Sequence, residues 1–335
     1  LASIKDVARL AGVSPTTVSR VINHKGKTNK ATEDRVWQAI TKLNYQPNLL
    51  ARSLRSQKSR LIGFLVIDIE SPFFGRLVKY IEEAANRKGY NLILCNVGEN
   101  PKKEKEYLEI LIQRQVEGII FSRVSDESVL FKTPQLSKIP YVVLDRNLEK
   151  EEAPTVKLDN FKAGMLAAQH FLELGHRNFA CLSGPLKIQI CRERLEGFVN
   201  ALEKAGISWR DIIVLEGNFK MDGGKEGMKK ILALPHHPTA IFCMNDLMAL
   251  GALQAIREKG FSVPRDFSLI GVDNTILGEF SDPPLTTIAQ SFDQMAKASI
   301  TLLVKLIEGK KVRKKQIALQ PQLVVRLSTT SRKAQ

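Results

Sequence analysis

The chain has 335 residues, 44% hydrophobic and 25% charged, with 50 lysines and arginines against 35 acids and a formal net charge of +15. This globular composition excludes disorder over most of the length, and the length implies two or three structural domains. No run approaches the roughly 20 unbroken apolar residues of a membrane helix, and Leu1-Ala2-Ser3-Ile4-Lys5-Asp6 lacks a signal peptide's apolar middle, so a cytoplasmic protein without membrane contact is expected.

The positive charge is unevenly spread. Residues 1–60 hold twelve lysines and arginines against three acids (Asp6, Glu33, Asp34), which places +9 of the +15 there. A small segment holding most of the excess points to a polyanionic partner.

Within that segment Ile4, Val7, Ala8 and Ala11 make one apolar helix stripe, and Gly12 suits a left-handed stop. Ser14-Pro15 reads as an N-cap with proline at the first helical position, and Val18, Val21 and Ile22 form the next stripe. A loop containing Gly26 leads to Asn29, a candidate cap for a third helix marked by Val36, Ile40 and Leu43. Two short helices around a glycine turn, closed by a third, make a helix-turn-helix unit. Thr16, Thr17, Ser19, Arg20 and Asn23 lie on the polar side of its second helix. Short hydroxyls beside one arginine suit a major groove, where arginine pairs with a guanine edge and threonine meets a thymine methyl or a phosphate. Pro47 then ends the unit, and Leu49–Arg55 is a helical run too short to be stable alone in water.

From Leu61 onward apolar strands alternate with helical patterns. The expected strands are 61–67, 90–95, 118–121, 141–144, 179–183, 212–215, 240–243 and 267–272. The intervening helices include 73–88, 161–174, 192–205, 223–234 and 246–259. Such alternation means parallel sheets with helices on both faces, and its restart near Phe161 suggests two α/β lobes. Ligands in these folds sit at the carboxyl ends of strands. The residues found there are Ser71-Pro72-Phe73-Phe74, Ser122, Asp145-Arg146, Gly184-Pro185 leading to Arg192, Asn218-Phe219, Asn245-Asp246 and Asp273-Asn274. Aromatic rings with Asp, Asn and Arg are the chemistry of a sugar or nucleobase pocket, although Asp and Asn also cap helices.

Other features carry less. Cys95, Cys181 and Cys243 lie in or beside strand-like runs and read as buried reduced thiols, and Cys191 completes the four without any C-x-x-C pair. Asp222-Gly223-Gly224-Lys225 lacks phosphate-loop spacing and reads as a helix entry. His236-His237 has no ligand set around it, so no metal or cofactor is expected. Gly309–Lys315 reads as a solvated basic loop. No G-x-S-x-G or G-x-G-x-x-G marks an enzyme.

The chain resembles the LacI/GalR (lactose-repressor/purine-repressor) family of bacterial transcription regulators. The resemblance rests on Ile4-Lys5-Asp6-Val7-Ala8, on Ala11-Gly12-Val13-Ser14-Pro15-Thr16-Thr17-Val18-Ser19-Arg20-Val21-Ile22-Asn23, and on Asn44-Tyr45-Gln46-Pro47-Asn48 with Ala51-Arg52-Ser53-Leu54. It continues through Val142–Arg146, Leu174–Arg177, Asn245–Ala252, Ile270–Asn274 and Pro283–Ile288. It implies a small all-α helix-turn-helix headpiece (1–46) with a hinge helix and linker (47–60), followed by a two-lobed core (61–330) like that of periplasmic sugar-binding proteins. The implied first lobe covers about 61–160 and 288–319, and the second about 161–287 and 320–330.

The resemblance also assigns roles. Pro15, Thr16 and Arg20 match base-facing positions, and Ser3, Ser14, Thr17, Asn23, Tyr45 and Asn48 match backbone-contacting ones. Leu54, flanked by Arg55, matches the hinge leucine that wedges into the central minor-groove step. Effector positions map to Phe73, Phe74, Ser122, Asp145 with Arg146, Arg192 (with Arg194 as the alternative), Phe219, Asn245 and Asp273. The implied function is a non-enzymatic repressor binding a near-palindromic operator as a homodimer. Its affinity would be set by a cleft ligand, with a sugar favoured and a purine co-repressor as the alternative. A catabolite-control-type regulator activated by a phosphoprotein partner is the other alternative, and Asp145-Arg146 and Arg192 depart from that branch. No leucine-heptad tail precedes Gln335, so a dimer is expected rather than a tetramer.

Overall fold

The computed structural model describes residues 2–22, 28–45, 58–122, 139–145, 154–312 and 315–332. It divides into two compact units, Leu1–Ser59 and Arg60–Gln335.

The first unit contains α1 (Ile4–Ala11), α2 (Pro15–Ile22) and α3 (Lys30–Lys42). Each start is capped by a side chain. Ser3 and Asp6 form a reciprocal box, with Ser3 Oγ and N donating to the Asp6 carboxylate at 2.7 and 3.0 Å. Ser14 Oγ accepts from Thr17 N at 3.1 Å, and Asn29 Oδ1 from Thr32 N at 2.8 Å. Each cap satisfies an otherwise orphan helical donor and contributes about 1 kcal/mol. Gly12 closes α1 at φ 65°, where a Cβ would be strained. Val7, Ala8, Ala11, Val18, Val21, Val36 and Ala39 make the core.

The second unit is built on two six-stranded sheets. The first contains β1 (Leu61–Val66), β2 (Asn91–Asn96), β3 (Gly118–Phe121), β4 (Tyr141–Leu144), β5 (Thr155–Leu158) and β11 (Gln316–Leu319), in the order β11-β5-β4-β3-β1-β2. The second contains β6 (Phe179–Ser183), β7 (Ile213–Glu216), β8 (Ala240–Cys243), β9 (Ser268–Asp273), β10 (Thr286–Ala289) and β12 (Gln322–Val324), in the order β12-β10-β9-β8-β6-β7. All pairings are parallel except β10 with β12. The chain passes between sheets after β5, after β10 and after β11.

Helices cover both faces of each sheet because alternate strand residues are apolar on both sides. In the first lobe α4 (Pro72–Arg87) and α11 (Phe292–Ile307) pack on Phe64, Ile120 and Val142, while α5 (Pro101–Gln113) packs on Leu65, Ile119 and Val143. In the second lobe α6 (Asn160–Glu173) and α7 (Gln189–Lys204) pack on Phe179, Cys181 and Phe242. On its other face α8 (Met221–Leu232) and α9 (Asp246–Glu258) pack on Ala180, Leu182 and Ile241. A short α10 (Ile276–Glu279) follows β9.

Two helix pairs approach through reciprocal glycines. A Cβ on Gly164 of α6 would fall 1.9 Å from the Arg194 carbonyl oxygen, and one on Gly197 of α7 would fall 1.8 Å from that of Phe161. The same exchange joins α8 and α9, with Gly224 against the Met248 carbonyl and Gly251 against that of Met221.

The observed strands differ from expectation at β5, β10, β11 and β12, none of which was expected as a strand. Each is a short segment broken by polar residues (Lys157, Thr286 and Thr287, Gln316, Gln322), so no continuous apolar run marks it, and each is held by a partner distant in sequence. The lobe boundary near 288 falls slightly later, since Ile288 and Ala289 pair with β9 and β12 in the second sheet.

Candidate functional site

In the first unit Pro15, Thr16 and Arg20 are exposed along α2. Thr17 is half-buried, its hydroxyl 2.9 Å from Ser14 Oγ. Lys5, Arg9, Lys30, Arg35 and Lys42 are also exposed, with Arg9 Nη1 3.6 Å from Asp6. Ser3 is exposed but spends its hydroxyl on the α1 cap, and that hydrogen bond holds the Asp6 carboxyl below its usual range. Tyr45 packs half-buried against the core of this unit. Asn23, Asn48, Leu54 and Arg55 lie outside the described residues.

In the second unit the strand ends of both lobes open onto one cleft of about 670 Å³, open mouth included. The first lobe contributes Ile67, Asp68, Phe73, Phe74 and Asp145. The second contributes Ile190, Arg194, Phe219, Asn245, Leu247 and Asp273, and Gln290 enters from the crossover after β10. Glu99 and Lys220 stand exposed at the edge. Phe73 and Phe74 start α4, their rings 5.0 Å apart and edge-on, and Phe73 continues onto Phe292 at 5.5 Å.

The polar wall is tightly organised. Arg194 is 2% exposed. Its Nε donates to Asn160 Oδ1 at 2.9 Å and its Nη1 to the Met244 carbonyl, so two backbone-anchored groups orient the guanidinium. Gln290 Nε2 donates to Asp273 Oδ1 at 2.7 Å. Asp145 and Asp273 sit at φ 70° and 112°, in the left-handed half of conformational space, where the strand ends turn sharply. Burial pushes the Asp273 carboxyl well above the usual range; Arg194 opposes this and nearby Asp246 adds repulsion. Asn245 caps α9 through Met248 N at 2.9 Å and donates to the Phe219 carbonyl at 2.7 Å, so it shapes the cleft wall while serving as a cap.

Behind this wall Asp246 ties three segments together. It accepts from Thr275 N and Oγ1 at 2.7 and 2.9 Å, and from Thr287 Oγ1 at 2.6 Å. Burial nevertheless lifts its carboxyl to about 6. Contacts that span the lobes include Arg76 Nη1 donating to the Asn274 carbonyl at 2.9 Å and Lys157 Nζ paired with Glu193 at 2.8 Å.

Phe73, Phe74, Asp145, Phe219, Asn245 and Asp273 come together in the cleft. Arg192 does not: its Nη1 donates to the Leu186 and Lys187 carbonyls at 3.0 and 2.8 Å, and Arg194 takes the inward place. The reason is helical phase. Arg194 lies on the buried stripe with Ile190, Phe198 and Ala201, whereas Arg192 lies off it. An arginine inside an apolar stripe was a readable signal for that choice. Ser122 is buried but is not among the lining residues, and Arg146 lies outside the described residues. Gln290 was missed because its placement depends on a crossover between sheets, which no local pattern marks. Of the histidine pair, His237 Nε2 lies 3.1 Å from the Leu232 carbonyl and its ring packs on Phe261 and Phe267. No helix among the described residues is long and apolar enough to cross a membrane.

Comparison with known proteins bears on both units. The family model described as "Bacterial regulatory proteins, lacI family" matches residues 3–48, and that for a periplasmic binding protein-like domain matches residues 168–329. A curated relative, the HTH-type transcriptional repressor PurR of Pasteurella multocida, is 40% identical over 99% of this chain and 100% of its own length. PurR of Vibrio parahaemolyticus is 39% identical over 97% of this chain and 98% of its own. Among solved structures, the lac repressor dimer bound to operator and the anti-inducer ONPF superimposes with a TM-score of 0.88 at 30% identity, covering 98% of this chain and 99% of that one. A LacI-family regulator from Enterococcus faecium with bound ribose gives a TM-score of 0.74 at 32% identity, over 82% of this chain and all of that one.

Proposed function

The chain belongs to the lacI family of bacterial regulatory proteins and is an effector-controlled, DNA-binding transcriptional repressor; we propose that it acts in the cytoplasm as a homodimer on a near-palindromic operator, with a sugar or sugar derivative held between the two lobes. In this reading Pro15, Thr16 and Arg20 face base edges, and Ser3, Ser14, Thr17, Asn23, Tyr45 and Asn48 position the headpiece on phosphates. Leu54, beside Arg55, wedges the central step once the hinge run folds against its dimer mate. The domains implied by the sequence supply the parts: residues 1–46 read, 47–60 couple, and 61–330 sense.

The effector reading rests on the buried polar wall at the strand ends, where Asp145, Arg194, Asn245 and Asp273 meet. A carboxylate accepts from one hydroxyl of a sugar while arginine donates to the next, so adjacent hydroxyls are matched in both roles. Phe219 and Phe73 supply apolar faces for the ring. A purine is the second reading, favoured by the three phenylalanines and by relatives that carry the name PurR. Control follows from differential binding: a ligand that prefers one closure of the lobes shifts the population in which the two hinge segments meet. No turnover of the ligand is expected.

A thermal-shift screen of sugars and purines on the full chain, followed by operator binding with each hit, tests this. A sugar that raises the melting temperature and changes operator affinity supports the reading. A response to purines alone replaces it with the second, and sedimentation as a monomer at binding concentrations refutes the dimer.

A further inference from the structure

We propose that Arg60, clasped by Glu117 and Tyr90, is a left-handed elbow that aims the hinge segment, and so is a positioning residue for operator binding; this rests on the hinge reading above.

Arg60 is the first residue of the second unit, where the chain arriving from the headpiece enters the first lobe. Its φ is 57°, in the left-handed region where an arginine is strained. Such a conformation persists only where its surroundings over-determine it. The Arg60 amide donates to Glu117 Oε1 at 2.6 Å, and its carbonyl accepts from Asn91 N at 2.8 Å. The guanidinium lies over the Tyr90 ring, 5.2 Å from its centroid, and Tyr90 Oη donates to Glu117 Oε2 at 3.4 Å. Glu117 N in turn donates to the Leu61 carbonyl at 2.9 Å. Backbone and side chain of Arg60 are thus held together at the starts of β2 and β3. Tyr90 is 4% exposed and packs in the core of the first lobe, so the clasp has a rigid base.

Strand β1 does not need this turn. An extended residue before Leu61 would feed the strand without strain. The left-handed residue bends the chain where it leaves the lobe and so fixes the direction of departure. From there β1 runs six residues, about 20 Å, to Ile67 and Asp68 in the cleft wall. It is buried on both faces from Ile62 to Val66, so it moves with its lobe as one body. A displacement of the cleft wall therefore carries the elbow with it. With the clasp broken, the lobe is unchanged but the hinge leaves it in many directions, and operator binding must order that residue again.

The test is fluorescence anisotropy of the full chain on two duplexes, one selected from a random pool by the parent chain and one of scrambled sequence. Arg60→Asn and Arg60→Val both remove the guanidinium, but asparagine adopts left-handed backbone readily and a β-branched residue does not. On the selected duplex Arg60→Asn should stay within about threefold of the parent. Arg60→Val and Glu117→Ala should each lose on the order of 10-fold, because one residue per protomer must be fixed again. Affinity for the scrambled duplex should stay near that of the parent in all three. Equal losses for the two Arg60 variants overturn the elbow, because the guanidinium alone then accounts for them. Parent-like specific affinity in Glu117→Ala also overturns it, whatever that variant does to the melting temperature. Glu117→Ala decides the matter by itself if Arg60→Val does not fold. The hinge reading fails separately, as parent-like specific affinity in Leu54→Ala.

Discussion

A methyl group added at Gly164 should damage both stability and effector binding, although Gly164 itself does not line the cleft. The Cβ of Gly164→Ala would fall 1.9 Å from the Arg194 carbonyl oxygen and 2.7 Å from Phe198 N, both backbone atoms. Ordinary contact begins near 3.4 Å, so α7 must retreat by roughly 1.5 Å. Side-chain rotation cannot relieve a clash between backbones, and overpacking of this kind costs about 1–3 kcal/mol. For a unit of this size that is a fall in melting temperature of roughly 2–6 °C. The retreat also stretches the 2.9 Å hydrogen bond from Arg194 to Asn160, which sits at the start of the helix that carries Gly164. Beyond 3.5 Å that bond no longer orients the guanidinium. Scanning calorimetry of Gly164→Ala, with titration of the cleft ligand found by screening, reads both effects. Gly89→Ala is the control: it has a left-handed backbone, φ 76°, with nothing within 4 Å, so it should cost only about 1 kcal/mol and leave ligand affinity intact. A melting temperature for Gly164→Ala no lower than that of the control would refute the close-packing argument.

Other outcomes follow from individual residues. Arg194→Met leaves Asn160 Oδ1, the Met244 carbonyl and Asp273 without their buried partner, so denaturant titration should show a loss of about 3–5 kcal/mol. Effector binding should vanish with it, and retained affinity would reduce Arg194 to a strut. Burial raises the Asp246 carboxyl from 3.8 to about 6, which favours the protonated folded form. Its contribution to stability is therefore complete below about pH 4 and is lost as pH rises through about 6. Asp246→Asn should remove that limb from a stability–pH profile; an unchanged profile would assign it elsewhere. Arg20→Ala should weaken specific operator binding by about 1–3 kcal/mol in fluorescence anisotropy, with little loss on random DNA. Leu54→Ala should likewise cost specific far more than non-specific affinity, and equal losses would sink the wedge role. Operator affinity should fall steeply with salt, and a flat titration would refute the basic first segment as the DNA-binding element.

Much of this architecture is legible in the chain alone. The caps at Ser14 and Asn29, the glycine stop at Gly12 and the three apolar stripes define the first unit, because capping and helical phase are local properties of a few neighbouring residues. The central strands of both sheets were equally plain, each a short apolar run buried on two faces. The rule that ligands gather at strand ends put Phe73, Phe74, Asp145, Phe219, Asn245 and Asp273 among a wider set of candidates, and the family resemblance narrowed that set.

The remaining features depend on contacts between residues far apart in the chain. Arg194 and Arg192 are two residues apart, and which of them enters the cleft depends on the face α7 turns toward its sheet. Gln290 reaches Asp273 because the chain changes sheets beside it. The edge strands exist because distant partners complete their hydrogen bonds, and Gly164 and Gly197 matter because each meets the other helix's backbone. Phase, capping and apolar runs are written into neighbouring residues and survive inspection of the chain alone. Pairing, close approach and the balance of charge in a buried space arise only when separated segments are brought together, and those contacts set the chemistry of the cleft.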